Sequence, residues 1–157
     1  MTVVRPVAFV RSPRVRIEDD DWGDVISRIE LAPGVDPASL DGIDAFSHIE
    51  VVFLFDQVPE EAVERGSRHP RGNPAWPKVG IFAQRAKNRP NRIGTTMVRL
   101  EKREGGVLTV RGLDAVDGTP VLDIKPVMKQ FLPREGTRQP AWVDELMRGY
   151  WGTGPGH

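Results

Sequence analysis

Cysteine is absent from the 157 residues. This excludes disulfides, thiolate zinc sites, a cysteine nucleophile and cysteine-held iron–sulfur clusters, and with the last any radical route that runs through such a cluster. A reducing compartment agrees with the absence. Aromatic residues make up only 7%, with a single tyrosine. No run of about 18 apolar residues occurs, so no membrane span is expected. The opening Met1-Thr2-Val3-Val4-Arg5-Pro6 lacks the long apolar stretch of a secretory signal and reads as the start of a first strand. Histidine is scarce too. His48, His69 and His157 have no partners at metal-ligand spacing, so no metal is expected. No Walker-type phosphate loop is present, and the glycine-rich Gly152–Gly156 is followed by no helix, as a dinucleotide site would require.

What is present suits one soluble domain with a real core: 39% hydrophobic and 28% charged residues. The net charge of zero hides a segregation. Between Glu18 and Glu64 lie fourteen acidic residues and one basic residue, Arg28. Between Arg65 and Leu100 lie nine basic residues and no acidic one. Such a split either steers a polyanion to one face or docks the two halves on each other, within a subunit or across a dimer.

Short β-branched segments separated by glycine and proline predict a mainly β chain, a single barrel domain over 1–150 with a few short helices. Strands are expected at Val3–Val10, Val25–Leu31 (with a helix as the alternative there), Ser47–Phe55, Val79–Ala83 and Val121–Ile124. The apolar run Ile49–Phe55 predicts burial on both faces. Val98–Leu100 and Val107–Val110 flank Arg103-Glu104-Gly105-Gly106 as a hairpin. Asp36-Pro37 opens a short helical turn with Asp36 as cap. Gln57–Lys78 is a long loop with one helical turn at Glu60–Arg65, and Asn88–Gly94 is turn-rich. Pro140–Met147 is a helix with Pro140 near its first position, and 151–157 is expected to be a disordered tail.

Two stretches carry chemistry. In the first, a strand delivers Arg85 into a loop stiffened by Pro90, ahead of Gly94, where a backbone can approach closely. Arginine forks onto carboxylates or phosphates, or lies solvated on a surface loop. In the second, Asp114, Asp117 and Asp123 fall within ten residues on turn-flanked backbone. Carboxylates there bond ribose hydroxyls, hold an amino group or accept a proton, or else serve only as local caps and turn formers.

Together these stretches resemble one family. Gly80-Ile81-Phe82-Ala83-Gln84-Arg85-Ala86-Lys87-Asn88-Arg89-Pro90-Asn91-Arg92-Ile93-Gly94 follows G-V-F-A-T-R-S-x-x-R-P-N-P-I-G. Leu113 to Pro126 meets L-D-x-x-D-G-T-P-V-x-D-I-K-P at every fixed position, and Gly42–His48 follows G-(L/I)-x-x-F-S-H. Val10-Arg11-Ser12-Pro13 ends the opening strand in the same manner. The chain thus resembles the TrmO, or TsaA-like (YaeB-like), family of β-barrel methyltransferases over roughly residues 3–130.

The resemblance implies a cytoplasmic, homodimeric enzyme that uses S-adenosyl-L-methionine to methylate N6 of a modified adenosine in tRNA. Another acceptor, small molecule or nucleic acid, and a non-catalytic S-adenosyl-L-methionine- or RNA-binding barrel are the alternatives. Carried over residue by residue, the cofactor contacts are Asp56, Gln57, Arg85, Thr95 and Leu113, Asp114, Ala115, Val116, Asp117. Asp117 and Asp114 are the candidate catalytic carboxylates, with Asp56 a further acceptor for the leaving proton. Lys87, Arg89 and Arg92 are the candidate nucleic-acid contacts. Departures from the pattern are Asp56 in place of a histidine, Arg92 in place of the second proline, and no recognisable proline- and glutamine-bearing loop near Arg14–Asp21. The sequence is expected to end before the extra C-terminal domain that aids tRNA recognition in TrmO.

Overall fold

The structure, a computed structural model, describes residues 1–152. In chain order the strands are β1 (Ala8–Arg11), β2 (Ile26–Leu31), β3 (His48–Leu54), β4 (Ser67–Arg68), β5 (Val79–Gly80), β6 (Ile93–Glu104), β7 (Val107–Arg111) and β8 (Pro120–Pro126). Six of them close into an antiparallel barrel in the order β1-β2-β7-β6-β3-β8, and β4 and β5 form a separate ribbon. The helix α1 (Ala141–Leu146) follows, and short 3-10 turns occupy the connections. The expected mainly β barrel with few short helices is what forms.

Alternation fills the barrel. Ile49, Val51 and Phe53 on β3 point inward and are at most 1% exposed, while His48, Glu50, Val52 and Leu54 are half-buried on the outer wall. The apolar run is therefore not buried equally on both faces. A barrel strand packs one face into the interior and turns the other outward. Val10, Ile29, Val98, Leu108, Val110 and Val121 complete the interior. Leu40, behind the Asp36-capped turn, is buried with them.

Other boundaries shift for identifiable reasons. The first strand starts at Ala8, not Val3, and Val3 and Val4 are exposed. Only from Val7 on does the chain find ladder partners, in Val121 and Ala32. The strand expected at Val79–Ala83 ends at Gly80 and turns into a 3-10 helix. β6 begins at Ile93, inside the stretch read as turns. Gly94 makes this possible: it faces inward, and the rings of Phe53 and Phe55 lie against its backbone. Pro140 caps α1 instead of occupying its first turn.

The antiparallel order sorts the connections onto two rims. The links β1–β2 (12–25), β3–β6 (55–92) and β7–β8 (112–119) all lie at one end of the barrel. The links β2–β3 and β6–β7 lie at the other.

The chain after α1 returns to the first rim. The amides of Asp21, Trp22 and Gly23 donate to the carbonyls of Gly149, Tyr150 and Trp151 at 3.0, 2.9 and 2.9 Å. Of the expected tail 151–157, Trp151 is thus held in place, and residues 153–157 lie outside the described residues. Tyr150 donates its hydroxyl hydrogen to the Asp114 carboxylate. Burial raises the Tyr150 pKa well above the usual phenol range. The negative charge of Asp114 and the hydrogen bond to it act in the same direction, while Arg85 and Arg71 oppose them.

Two outcomes follow from this packing. A Cβ at Gly94 would sit 2.7 Å from the Phe55 ring and 2.8 Å from that of Phe53. Gly94→Ala should therefore lower unfolding stability by about 1–3 kcal/mol, measured as a shifted denaturant midpoint. Because Tyr150 is the single tyrosine, phenolate absorbance reports it alone. In the unfolded chain a tyrosine ionises near pH ~10. In the folded chain Tyr150 stays neutral there, so its contribution to stability is complete below that pH and is lost as the pH rises beyond it. Phenolate should appear together with unfolding, and Tyr150→Phe should flatten the alkaline decline.

Candidate active site

The residues proposed from separate motifs meet at the first rim. Gly112 and Gly118, both with φ above 80°, are the first and the penultimate residues of the β7–β8 link. Between them Leu113 is fully buried and joins the barrel core, Ala115 is 4% exposed and Val116 is 9% exposed. These three were expected as cofactor contacts. Their side chains plug the rim, so what they can offer a ligand is mainly backbone.

Burial of Leu113 fixes the register of its neighbours. Asp114 Oδ1 accepts from Thr96 Oγ1 at 2.5 Å, and Oδ2 accepts from the Tyr150 hydroxyl. Each carboxylate oxygen keeps a further lone pair for a ligand. Thr95, the residue expected here, is placed differently. Alternation along β6 sends its hydroxyl to the outer wall, where it donates to Glu50 at 2.8 Å. Its carbonyl accepts from the Arg85 guanidinium at 2.6 Å. Arg85 and Asp114 are thus anchored on adjacent residues of β6, Thr95 and Thr96, and both charges act on the Tyr150 hydroxyl. No sequence signal had singled out Thr96 or Tyr150.

Asp117 is separated from Asp114. Its Oδ1 accepts from the Ser12 amide at 3.0 Å, and its own amide donates to the Arg14 carbonyl. It lines a groove of about 560 Å³ with Ser12, Ser27, Arg28 and Lys102. Asp123 pairs with Lys125 on β8 at 2.7 Å. The three aspartates that share ten residues of sequence therefore serve three environments. Asp56 and Gln57 lie exposed in the turn after β3, on the same rim as Arg85.

The basic loop is largely occupied with its own backbone. Arg89 donates to the Gln84 carbonyl at 2.6 Å, and Arg92 to that of Val58 at 2.6 Å. Instead of an outward array of three cations, Lys87 alone of these expected contacts has no partner among the described residues. Arg92 has φ 51°, which a proline, locked near −65°, cannot adopt. The departure from the family pattern at this position is a change of backbone shape. Gln84, where the pattern has threonine, is buried and donates to the Arg68 and Val79 carbonyls, clamping the β4–β5 ribbon beside Arg85. In place of the unrecognised loop near Arg14–Asp21, the Arg14 guanidinium lies 4.0 Å over the Trp22 ring and bonds the Asp20 and Asp21 carbonyls, making a compact turn.

Part of the charge segregation is internal docking. Arg71 reaches Asp20 at 3.3 Å and Asp19 at 3.7 Å, and Arg65 reaches Glu60 at 2.6 Å. Among the described residues no group of three or more possible metal ligands occurs, and no helix is long and apolar enough to cross a membrane.

Comparison with known proteins places these features. A human protein named tRNA (adenine(37)-N6)-methyltransferase is 39% identical over 102 residues, which cover 65% of this chain and 23% of that one. A probable S-adenosyl-L-methionine-binding protein of Pyrococcus abyssi is 35% identical over 151 residues, covering 92% of this chain and 78% of its own length. A crystal structure of TrmO from P. aeruginosa matches with a TM-score of 0.73 at 31% identity, over 90% of this chain and 62% of that one. The chain therefore spans about a quarter of the human relative and less than two thirds of the solved structure. The profile of the tRNA-methyltransferase O N-terminal domain matches residues 16–131, well over half of the chain, and on that match the chain belongs to this family.

Proposed function

We propose that the rim carrying Arg85, Thr96 and Asp114 binds S-adenosyl-L-methionine, and that the chain transfers its methyl group to N6 of a modified adenosine in tRNA. The observation that carries this reading is the meeting of a guanidinium and a carboxylate from two distant motifs on adjacent residues of β6. The names of the human and Pyrococcus relatives support it.

The residues fit the cofactor's chemistry. It bears a carboxylate, an ammonium, a ribose diol and a sulfonium. Arg85 keeps donors free for the carboxylate beyond its bond to Thr95. Asp114 keeps acceptor positions free for the diol or the ammonium. When bound, the cofactor supplies an electrophilic methyl whose leaving group is a neutral thioether. The protein must then align the attacking nitrogen and exclude water. Leu113 and the buried residues beside it keep the floor of the rim apolar. The proton lost from N6 passes to Asp114 or to solvent.

Lys87 and Lys78, whose side chains have no partner among the described residues, would meet phosphates, with Arg89 and Arg92 shaping the loop that presents them. The homodimer reading is supported by residues 128–140, which are exposed throughout and carry Phe131 at 81% and Met128 at 42% exposure. A second copy would cover them. A tRNA substrate agrees with a cytoplasmic location.

Calorimetric titration with S-adenosyl-L-methionine should show saturable binding, weakened on the order of tenfold or more in Arg85→Ala. A folded protein that binds none would refute the reading. Affinity for tRNA should fall steeply with salt, and Lys87→Ala should reduce the logarithmic salt slope by about one. A flat salt dependence, or turnover on small acceptors without RNA, would exclude tRNA as the substrate.

A further inference from the structure

Tyr150 lies outside residues 16–131, the span matched by the family profile. It follows α1, in a segment that has already left the barrel, yet its side chain reaches the Asp114 carboxylate. Several contacts fix this return. Its own carbonyl and those of Gly149 and Trp151 accept from three consecutive amides of the β1–β2 link. Trp76 Nε1 donates to Glu145 of α1 at 2.7 Å, so the β4–β5 connection holds the segment from another side. The Trp151 ring packs edge-on against Tyr150 at 4.8 Å between centroids, which restricts the phenol's rotamers.

The result is a carboxylate gripped at both oxygens by hydroxyls from different parts of the fold. Thr96 belongs to the barrel wall, and Tyr150 to the C-terminal segment. With one donor on each oxygen, the carboxylate of Asp114 is held in a single orientation before any ligand arrives. A pre-oriented acceptor avoids the entropy of ordering a side chain on binding.

We propose that Tyr150 is a positioning residue of the cofactor site, holding Asp114 so that its free lone pairs receive the hydroxyl or ammonium donors of S-adenosyl-L-methionine, and that the segment Ala141–Trp151 is thereby part of that site. The proposal rests on the cofactor reading given above and extends it to a residue outside the three motifs. Tyr150 acts through Asp114. Its hydroxyl remains a donor, because burial and the adjacent carboxylate disfavour the phenolate.

The test is calorimetric titration of the full chain, Tyr150→Phe, Asp114→Asn and the double variant with S-adenosyl-L-methionine, with thermal unfolding recorded beside each. Tyr150→Phe should bind on the order of tenfold more weakly, at unchanged stoichiometry. In the Asp114→Asn background the same change should have no further effect. Damage to the fold would instead lower the stoichiometry and act equally in both backgrounds. Should Tyr150→Phe fail to fold, Thr96→Val removes the other hydroxyl without touching the C-terminal segment, and the same coupling to Asp114 is expected. Unchanged affinity in Tyr150→Phe, or an equal loss in the Asp114→Asn background, would overturn the proposal. Tighter binding would also overturn it, showing that the hydroxyl competes with the cofactor for Asp114. Absence of binding by the folded unmodified chain would instead overturn the cofactor reading itself.

Discussion

The pairing of β1 with β8 closes the barrel, and the site depends on that closure. Ala8 and Phe9 face Val121 and Pro120, the first strand against the last. The contact brings the 12–25 link beside the 112–119 link. The Val10 amide then bonds the Thr119 carbonyl, and the Gly118 amide the Val10 carbonyl. Ser12 can consequently donate to Asp117, and Leu113 can drop into the core. Once Leu113 points inward, Asp114 meets Thr96 on β6. An open sheet of the same strands would leave β8, where the 112–119 link ends, at the edge opposite β1.

Closure also explains how a chain with no net charge uses its segregated charges. Acidic residues of the 18–64 stretch and basic residues of the 65–100 stretch share a rim because both stretches supply links at the same end of the barrel. Arg71 bridges the two at Asp19 and Asp20. Exposed ion pairs of this kind add little stability, about 0.2–1 kcal/mol each. Their consequence is organisational. They hold the β4–β5 connection over the rim, next to α1 and the returning C-terminal segment.

The basic loop shows how composition can mislead. Lys87, Arg89 and Arg92 read as a cationic array, yet both arginines donate to main-chain carbonyls. A loop with little regular structure leaves carbonyls unpaired, and arginine is the side chain best able to satisfy them. The consecutive positive φ values of Asn91 and Arg92 belong to the same local shape. They set this loop apart from one carrying a second proline.

Much of the fold was legible because strands announce themselves locally. Alternating apolar residues, the Gly105 hairpin, the Asp36 cap and the turn at Asp117-Gly118 are all encoded within a few residues. The motifs holding Arg85 and Asp114 were legible as well, as ordered patterns of residue types. Boundaries were less so, since Gly94 lies within a strand only because two rings from β3 and its end need the space. Which aspartate faces β6, which threonine faces Asp114, and the arrival of Tyr150 were not legible at all. Sequence alone determined the strands, the turns and the chemical groups available. Tertiary structure decided which of those groups share one volume. Barrel closure and the return of the C-terminal segment join residues far apart in the chain, and no local pattern records a contact between them.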